Sequence, residues 1–533
     1  MRPHSLVPLL RLALIVVVTL LALCGARPAA ATAEARPVEI TARDGTVLRG
    51  HVHLPPGPGP FATVVTLSPY WNNLVWTAGP GVESEAEPLS DKAKPLLDAG
   101  FAVALVNLRG TGESDGCMQF GSRTEWSDAR DVVEGLAAQP WSSGRVGMYG
   151  LSYEGWSQWM AVAARPPSLK AVVPVSGVID PWSLLVRQGA PIVAGPGVAD
   201  LWTVRTSYLV SSPNATHLAC PEPAPHTAAA ADLTVTGDRT DYFEARDERE
   251  HIRDTKVPAL VANGLEYPGE GHLLQFEGLW DLLDPRRTRF VLGQWPHQTP
   301  AVERADWWPM VIAWFDHYLR GGPKTVSTGK VEYQDDADRW HLTDRWPPRS
   351  RDVSLYLDGG AIGREPAATA AAQTFQTHPT AEPGTEDGPY QATFVSPPLE
   401  RDVLLAGNFT LRLTLTSTLP GGNLVAVLRQ WRPGADMPGE DIARVQLDLG
   451  HWKSTGHSRP FPVLTPTVLT ARSTPFASRV LKGSRLTLSI GGGSAELQPD
   501  HLQPALTVST GPGSPGALEL PVVHGGLEIG EAP

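Results

Sequence analysis

The sequence has little of several features that mark particular protein classes. Its 533 residues include only three cysteines and contain no Cys-x-x-Cys or His-Glu-x-x-His motif, so nothing indicates a redox centre or a zinc site. Lysine and arginine (44) are outnumbered by aspartate and glutamate (56), which gives a formal net charge of −12. Because nucleic-acid binding depends on neutralising phosphates, no nucleic-acid partner is expected.

The overall composition is that of a large globular protein. Hydrophobic residues make up 42% and charged residues 19%, which excludes a mainly disordered chain and a polytopic membrane protein. At roughly 150 residues per domain, the length predicts more than one domain. The 52 glycines and 51 prolines predict many turns and loops.

Residues 1–35 are predicted to be a signal peptide. Basic residues precede an apolar run at 12–24, which is followed by the small-x-small sequence Ala31-Thr32-Ala33. The run falls short of the ~20 residues that span a membrane, so we expect export and cleavage, with no stable membrane insertion afterwards. A retained anchor is the alternative. Lipidation of Cys24 is disfavoured because the preceding Leu23 is bulky.

Cleavage leaves two cysteines, Cys117 and Cys220. In an exported protein they either form one disulfide bond or remain two buried thiols. Two histidines, His51 and His53, lie two residues apart on a predicted strand, but this pair alone does not indicate a metal site, and none is expected.

Residues 36–184 and 255–328 predict one α/β domain. Short, continuously apolar runs are typical of strands that are covered on both faces of a sheet. These runs lie at 64–67, 102–106, 146–149, 171–175, 259–262 and 290–292. Helical spacing at 131–138 and 155–164 separates some of them, which indicates a βαβ architecture.

Two further segments interrupt or follow this domain. Residues 185–254 combine a Pro/Ala/His-rich part with a charged part and predict a helical cap inserted over the sheet, with a solvated linker as the alternative. Residues 329–533 show apolar residues at every second position, for example at 409–415 and 486–490, which predicts a C-terminal β-sandwich with a jelly-roll-like arrangement. Within it, the segment 366–389 is predicted to be a surface loop.

One stretch carries a chemical signal. An apolar strand at 145–149 runs through Gly150-Leu151-Ser152-Tyr153-Glu154-Gly155 into a predicted helix. Such a turn presents a serine hydroxyl at the top of a sheet, with N–H groups of the helix N-terminus available for an oxyanion. The pattern departs from strict G-x-S-x-G, because Glu154 occupies the place of the second glycine.

Further motifs stand in order around this serine. They are Leu67-Ser68-Pro69-Tyr70, the loop 107–116 with sequence NLRGTGESDG, Gln139-Pro140-Trp141, the segment 293–297 with sequence GQWPH, and the segment 314–319 with sequence WFDHYL. Together they resemble the X-prolyl dipeptidyl-peptidase and cocaine-esterase family of α/β-hydrolases. That family carries G-x-S-Y-x-G around its serine, so Glu154 fits its pattern.

The resemblance implies roles for four residues. Ser152 is the expected nucleophile and forms an acyl-enzyme, and His297 is the expected base. Tyr70, through its hydroxyl, and Tyr153, through its backbone N–H, are the expected oxyanion donors. No cofactor is expected. Ser152, His297 and Tyr70 each also have a purely structural alternative, as a loop serine, a core histidine and a buried aromatic side chain respectively.

The acid of the triad is the weak point of the resemblance. Members of the family carry an aspartate three residues after the glycine that ends the preceding strand, but here Tyr267 occupies that place. Glu266 is our first choice and Glu270 the second, because a carboxylate must reach the imidazole to hold its tautomer. A triad without an acid from this segment is the remaining alternative.

Other residues of the motifs receive mainly structural interpretations. Arg109 and Asp115 are expected to fix their loop by hydrogen bonds and an ion pair, and residues 314–319 are expected to belong to the last helix of the hydrolase domain. Trp71 and Trp76 either line a substrate pocket or pack under the cap.

The predicted function is that of a secreted serine hydrolase acting on a small peptide or an ester. An X-prolyl dipeptidyl-peptidase must hold a peptide amine, for which the available carboxylates are Glu154, Asp241, Glu244, Glu248 and Glu266. A carboxylic-ester hydrolase of cocaine-esterase type needs mainly an apolar acyl pocket. A non-catalytic secreted binding protein on a decayed hydrolase fold is the alternative from another class.

Overall fold

The computed structural model describes residues 34–70, 94–192, 224–265, 278–384, 389–439 and 441–530. Nine α-helices lie within them. They are α1 (Lys94–Asp98), α2 (Arg123–Ala137), α3 (Tyr153–Ala164), α4 (Pro181–Leu185), α5 (Ala224–Thr236), α6 (Asp241–Glu244), α7 (Arg249–Ile252), α8 (Leu279–Leu282) and α9 (Trp307–Phe315). None of the helices in this part of the chain is long and apolar enough to cross a membrane.

Twelve strands belong to the N-terminal part of the described chain. They are β1 (Glu34–Thr41), β2 (Val47–Leu54), β3 (Phe61–Ser68), β4 (Ala102–Asn107), β5 (Ser142–Leu151), β6 (Leu169–Val175), β7 (Val186–Arg187), β8 (Ala190–Pro191), β9 (Ala259–Gly264), β10 (Thr288–Gly293), β11 (Lys330–Gln334) and β12 (Trp340–Thr343). All but the hairpin β7–β8 form one sheet in the order β1-β2-β4-β3-β5-β6-β9-β10-β11-β12. The strands from β4 to β11 in this order are parallel, while β2 and β12 run antiparallel to their neighbours.

This sheet is covered on both faces, because successive side chains of a strand point to opposite sides. Val65, Val106 and Val172 pack in one core with helices α2 and α3. Their neighbours in sequence pack in a second core with α1 and α9; examples are Val64, Leu105 and Val173. The six apolar runs predicted as buried strands are therefore confirmed as β3, β4, β5, β6, β9 and β10.

The segment between β6 and β9 carries helices α4 to α7 and the β7–β8 hairpin. The hairpin lies against the C-terminal domain, where Ala190 and Ile192 pack with Val425 and Val427 in a small core. The amide Nε2 of Gln188 donates hydrogen bonds to the carbonyls of Gln446 (3.1 Å) and Arg472 (2.9 Å).

A second contact joins the same two parts of the chain. The buried His451 ring approaches Asp238 Oδ1 at 3.1 Å through Nε2. A Cβ at Gly189 would lie 1.9 Å from His451 Nδ1, so only glycine fits at this position. The inserted segment is thus fixed to the C-terminal domain through its hairpin and through the residue that follows Gly237.

The C-terminal part is a β-sandwich. Its strands are β13 (Arg351–Asp358), β14 (Ala361–Gly363), β15 (Ala371–Gln376), β16 (Gln391–Val395), β17 (Val403–Gly407), β18 (Thr410–Ser417), β19 (Asn423–Trp431), β20 (Asp441–Asp448), β21 (Thr467–Arg472), β22 (Phe476–Val480), β23 (Arg485–Gly491), β24 (Ala505–Thr510) and β25 (Ala517–His524). They pair in one network that is antiparallel except between β14 and β16. Its apolar core is separate from the two cores of the hydrolase sheet.

Two details of this domain differ from the sequence predictions. The predicted loop at 366–389 contains strand β15, which pairs with β24 from Ala371 to Gln376 despite its weakly strand-forming composition. The polar side of β23 is also buried, because Pro383 and Gly384 cover Gly491 and Ser489. This strand lies between β16 and β19 rather than on a half-exposed surface.

Candidate active site

Ser152 is the single residue between strand β5 and helix α3. Its backbone has φ 63° and ψ −121°, a conformation that glycine adopts freely and other residues rarely adopt. The chain reverses so sharply that a Cβ at Gly150 would lie 2.3 Å from the Cβ of Glu154, and a Cβ at Gly155 would lie 2.7 Å from the Cα of Gly177. Both glycines are therefore required by close approach.

Three hydrogen bonds hold this turn. The Ser152 N–H donates to the carbonyl of Val175 (2.9 Å), and the Ser152 carbonyl accepts from the N–H of Trp156 (2.9 Å). The N–H of Leu151 donates to Glu154 Oε2 at 3.1 Å. Glu154 is buried, so its carboxylate lies against the turn itself. The residue that departs from the strict serine motif thus stabilises the turn.

The two predicted oxyanion donors flank this turn. Tyr153 is the first residue of α3, where the helix dipole favours negative charge. Tyr70 follows β3, the strand next to β5, and its N–H donates to Ser68 Oγ at 3.1 Å. Both residues are thus at the carboxyl ends of neighbouring strands. Their roles as oxyanion donors stay predictions.

His297 lies in the loop after β10, at the same edge of the sheet as Ser152. In this loop the N–H of Trp295 donates to the carbonyl of Gly293 (2.9 Å), and the N–H of Gln298 donates to the carbonyl of Pro296 (2.7 Å). The Trp295 side chain is fully buried and anchors the loop, while His297 itself is half-buried. The histidine therefore sits on a tightly turned loop at the end of a core strand.

Both candidate acids, Glu266 and Glu270, lie outside the described residues, as does Tyr267. The described residues reach the position directly before Glu266, at the end of strand β9. Strand β9 ends at Gly264, opposite Gly293 of β10, and the N–H of Leu265 donates to the carbonyl of Gly293 at 2.7 Å. Leu265, the last described residue before both glutamates, is thus bonded to the end of β10, where the histidine loop begins.

Glu125, a buried carboxylate that was not predicted from the sequence as part of the site, binds the side chain of Tyr153 next to the nucleophile turn. The hydroxyl of Tyr153 donates to Glu125 Oε2 at 2.8 Å. Glu125 also accepts from the N–H groups of Gln119 and Gly121, both at 2.7 Å. A signal was present in the sequence, since Ser122 and Glu125 have the spacing of a capping box at the start of a helix.

Arg109 and Asp115 have the structural roles predicted for them. Arg109 pairs with the fully buried Asp128 (2.5 Å) and with Asp44 (2.9 Å). Burial is the largest single influence on the pKa of Arg109 and would lower it, but the hydrogen bonds and charges of Asp128 and Asp44 together outweigh burial and raise the pKa. Asp115 pairs with Arg49 at 2.7 Å. These contacts fix the loop that follows β4.

The helix predicted at 314–319 is also structural. Helix α9 covers Trp307–Phe315 and continues as a π-helical turn over Asp316–Arg320. Trp314, Phe315 and Leu319 are buried in the core below the sheet. Trp71 and Trp76, by contrast, lie outside the described residues.

The carboxylates considered for binding a peptide amine have different environments. Glu154 binds the nucleophile turn, and Asp241 and Glu244 are exposed on α6. Glu248 is fully buried and accepts a hydrogen bond from Trp156 Nε1 at 2.8 Å. Burial raises the pKa of Glu248 well above its ordinary value, because desolvation disfavours the charged form of the carboxyl.

The cysteines and His53 were the remaining candidates for a disulfide bond or a metal site. Cys117 is disulfide-bonded. Cys220, its predicted partner, lies outside the described residues, as does Cys24. His53 is buried in the sheet. In the part of the chain that the structure describes, no three His, Cys, Asp or Glu side chains are grouped so as to hold a metal ion.

Comparison with known proteins gives the family of this chain. Residues 44–299 match the model of the X-Pro dipeptidyl-peptidase (S15) family, and residues 324–510 match the model of the X-Pro dipeptidyl-peptidase C-terminal non-catalytic domain. The chain belongs to the X-prolyl dipeptidyl-peptidase and cocaine-esterase family of α/β-hydrolases. This is a family of serine hydrolases, and the resemblance inferred from the motifs is confirmed.

Individual relatives are distant. A Xaa-Pro dipeptidyl-peptidase from Lactobacillus delbrueckii subsp. lactis is 27% identical over 334 residues, covering 54% of this chain and 41% of the relative. A cocaine esterase from Rhodococcus sp. is 25% identical over 406 residues, covering 64% and 67%. The chain spans 41% to 65% of the length of the Xaa-Pro dipeptidyl-peptidases it matches.

A solved structure shares the fold over nearly the whole chain. A CocE/NonD family hydrolase from Staphylococcus aureus superposes with a TM-score of 0.75 at 18% identity, covering 92% of this chain and 97% of that one. The predicted fold class is thus confirmed: an α/β-hydrolase domain with a helical insertion, followed by a β-sandwich.

Proposed function

We propose that this protein is an exported serine hydrolase that cleaves an amide or ester bond through an acyl-enzyme on Ser152. The observation that carries the proposal is the backbone conformation of Ser152 at the strand-to-helix turn. An L-residue held at positive φ is costly, and such conformations concentrate at functional sites. The histidine loop at the same edge of the sheet supports the proposal.

The mechanism follows from these positions. Ser152 Oγ attacks the substrate carbonyl while the imidazole of His297 accepts its proton. The N–H of Tyr153 and the hydroxyl of Tyr70 donate hydrogen bonds to the resulting oxyanion. The tetrahedral intermediate then collapses, and His297 protonates the departing amine or alcohol. A water molecule, deprotonated by His297, hydrolyses the acyl-enzyme, and Glu266 or Glu270 holds the imidazole in the required tautomer.

Two substrate classes remain, and the carboxylates bear on the choice. A dipeptidyl-peptidase requires an anion for the peptide amine, and the curated relatives include enzymes named for this activity. Glu248 is buried and its pKa is raised, and the carboxylate of Glu154 accepts the N–H of Leu151 within the nucleophile turn. Neither arrangement supports the binding of an amine, and this favours an ester hydrolase as the second candidate. Glu266 remains available to the first candidate.

Export of the protein is part of the proposal. It is supported by the apolar run at 12–24 and the small-x-small sequence Ala31-Thr32-Ala33. Strand β1, Glu34–Thr41, pairs with β2 along its whole length, and cleavage after Ala33 would leave this strand intact.

The test is a substrate panel. Wild type and the Ser152→Ala, Glu266→Gln and Glu270→Gln variants are assayed on Ala-Pro-p-nitroanilide and on short p-nitrophenyl esters. We expect Ser152→Ala to abolish hydrolysis, and the glutamate variant that lowers kcat most to identify the acid. Labelling of the wild type by a fluorophosphonate probe, absent in Ser152→Ala, is the direct check. An unlabelled wild type that hydrolyses neither substrate would instead support a non-catalytic binding protein.

A further inference from the structure

Gln294 connects the loop of His297 to two other parts of the molecule. Its backbone N–H donates to Gln334 Oε1 at 2.9 Å. Its side-chain Nε2 donates to the carbonyl of Gln334 at 3.0 Å and to the carbonyl of Ala477 at 3.3 Å. Gln334 ends strand β11, and Ala477 lies on β22 of the β-sandwich. One side chain thus joins the histidine loop, the end of strand β11 of the hydrolase sheet and the C-terminal domain.

The sandwich side of this junction is fixed by a second residue. The N–H of Asp336 donates to the same carbonyl of Ala477 at 3.2 Å. The carboxylate of Asp336 accepts from Ser478 Oγ (2.5 Å) and from the N–H of Arg479 (2.7 Å). Strand β22 is therefore held in register against the turn after β11, and the acceptor that Gln294 uses has a defined position.

Gln294 is three residues before His297, in a loop with little conformational freedom. Pro296 has a fixed φ, and a Cβ at Gly293 would lie 1.8 Å from the Trp295 ring, so the loop follows its anchors closely. A shift of the anchors by ~1 Å would move the imidazole by a similar distance. Misplacement on this scale lowers rates by ~10²-fold.

We infer that Gln294 is a positioning residue for His297, and that the β-sandwich contributes to the reaction by supplying the carbonyl of Ala477. This inference rests on the proposed function. It assigns a positioning role to a domain whose family model is described as non-catalytic.

The experiment compares four glutamine variants of the full-length protein. Gln294→Met removes both side-chain hydrogen bonds, and Gln334→Met removes the acceptor of the Gln294 N–H. Gln334→Glu keeps that acceptor and loses the hydrogen bond from Gln334 Nε2 to the exposed Asp338 (3.2 Å), so it is the conservative rescue. Gln298→Met is the matched control in the same loop, since Gln298 Nε2 donates only to the exposed Glu303 at 3.2 Å. Thermal unfolding of each variant shows that it is folded.

Each variant is assayed on two esters that share an acyl group and differ in leaving group, p-nitrophenol and an alkyl alcohol. We expect Gln294→Met and Gln334→Met to lower kcat ~10–100-fold with KM unchanged within about threefold. The loss should be larger for the alkyl ester, because its leaving group needs the proton from His297. Gln334→Glu and Gln298→Met should stay within about threefold of wild type.

The outcomes separate the two proposals. Gln294→Met matching Gln298→Met in kcat would overturn the positioning role while wild-type activity, lost in Ser152→Ala, still supports the hydrolase. Equal losses on both esters, accompanied by a lowered melting temperature, would show a purely structural role and also overturn it. A wild type inactive on every ester and on Ala-Pro-p-nitroanilide would overturn the proposed function, and the positioning role with it.

Discussion

Replacing Ser152 by glycine should make the protein inactive and more stable. A non-glycine residue at φ 63° and ψ −121° costs of the order of 1–3 kcal/mol. Glycine removes this strain but adds about 0.5–1 kcal/mol of unfolded-state entropy to be lost on folding. The net gain is therefore up to about 2.5 kcal/mol. At roughly 2–4 °C per kcal/mol for a large domain, the melting temperature should rise by up to about 10 °C.

The comparison variant is Ser152→Ala, which also lacks the hydroxyl but keeps the strained Cβ. The difference between the two variants isolates the backbone term, and both are read by thermal and urea unfolding. Ser157 provides the control because it lies in helix α3, which follows Ser152 directly, is fully buried and has helical geometry. There the order should reverse, with Ser157→Gly about 1 kcal/mol less stable than Ser157→Ala. A Ser152→Gly variant no more stable than Ser152→Ala would refute the strain.

Three further perturbations test other contacts. Gly121→Ala places a Cβ 2.1 Å from the Trp156 ring at φ +76°, and it should lower the free energy of unfolding in urea by about 2–5 kcal/mol. Gly45→Ala is the control: it also has positive φ but nothing within 4 Å, so it should cost only the strain of an alanine at positive φ. Arg109→Met leaves the buried Asp128 unpaired and should cost about 3–5 kcal/mol. Arg43→Met removes an arginine side chain that is 55% exposed and leaves Asp131 the backbone N–H of residue 43 as a donor, so it should cost no more than about 1 kcal/mol; equal losses would contradict this. Burial lowers the pKa of His53 in the folded protein below its usual 6.5. As the pH falls through 6.5, the unfolded chain therefore gains a proton at this histidine while the folded protein does not, and the folded state loses stability. His53→Leu should therefore lose less stability than wild type between pH 7.5 and 5.5, by up to about 1.4 kcal/mol per pH unit, and parallel pH profiles would exclude this contribution.

Local sequence predicted the parts of the fold that local physics determines. The runs around Val65, Val103 and Val172 are apolar on both sides because both faces of the sheet are covered, and this leaves a direct mark in the sequence. The turn at Ser152 was predictable for the same reason, since only glycine fits at 150 and 155. The strand at 371–376 was missed because its pairing depends on backbone contacts with β24, far along the chain.

The supporting contacts of the site were not predictable in the same way. Gln294 meets a carbonyl 183 residues away, and Tyr153 meets a carboxylate 28 residues away. Neither glutamine nor glutamate carries a pattern that specifies such a distant partner. The strand-to-helix pattern indicated Ser152, and the family resemblance of the motifs added His297 as a candidate, but the groups that contact their loops come from the tertiary structure.

The attachment of the inserted segment to the β-sandwich has a consequence for biosynthesis. Gln188 binds a carbonyl 258 residues further on, and Ile192 packs against Val425 and Val427. While the chain is being made, the first domain can therefore collapse around its sheet, but this apolar edge stays uncovered until the last two hundred residues have emerged. The hydrolase domain is therefore complete only after the β-sandwich has folded, and chains truncated before the β-sandwich should aggregate through the exposed apolar residues around Ile192.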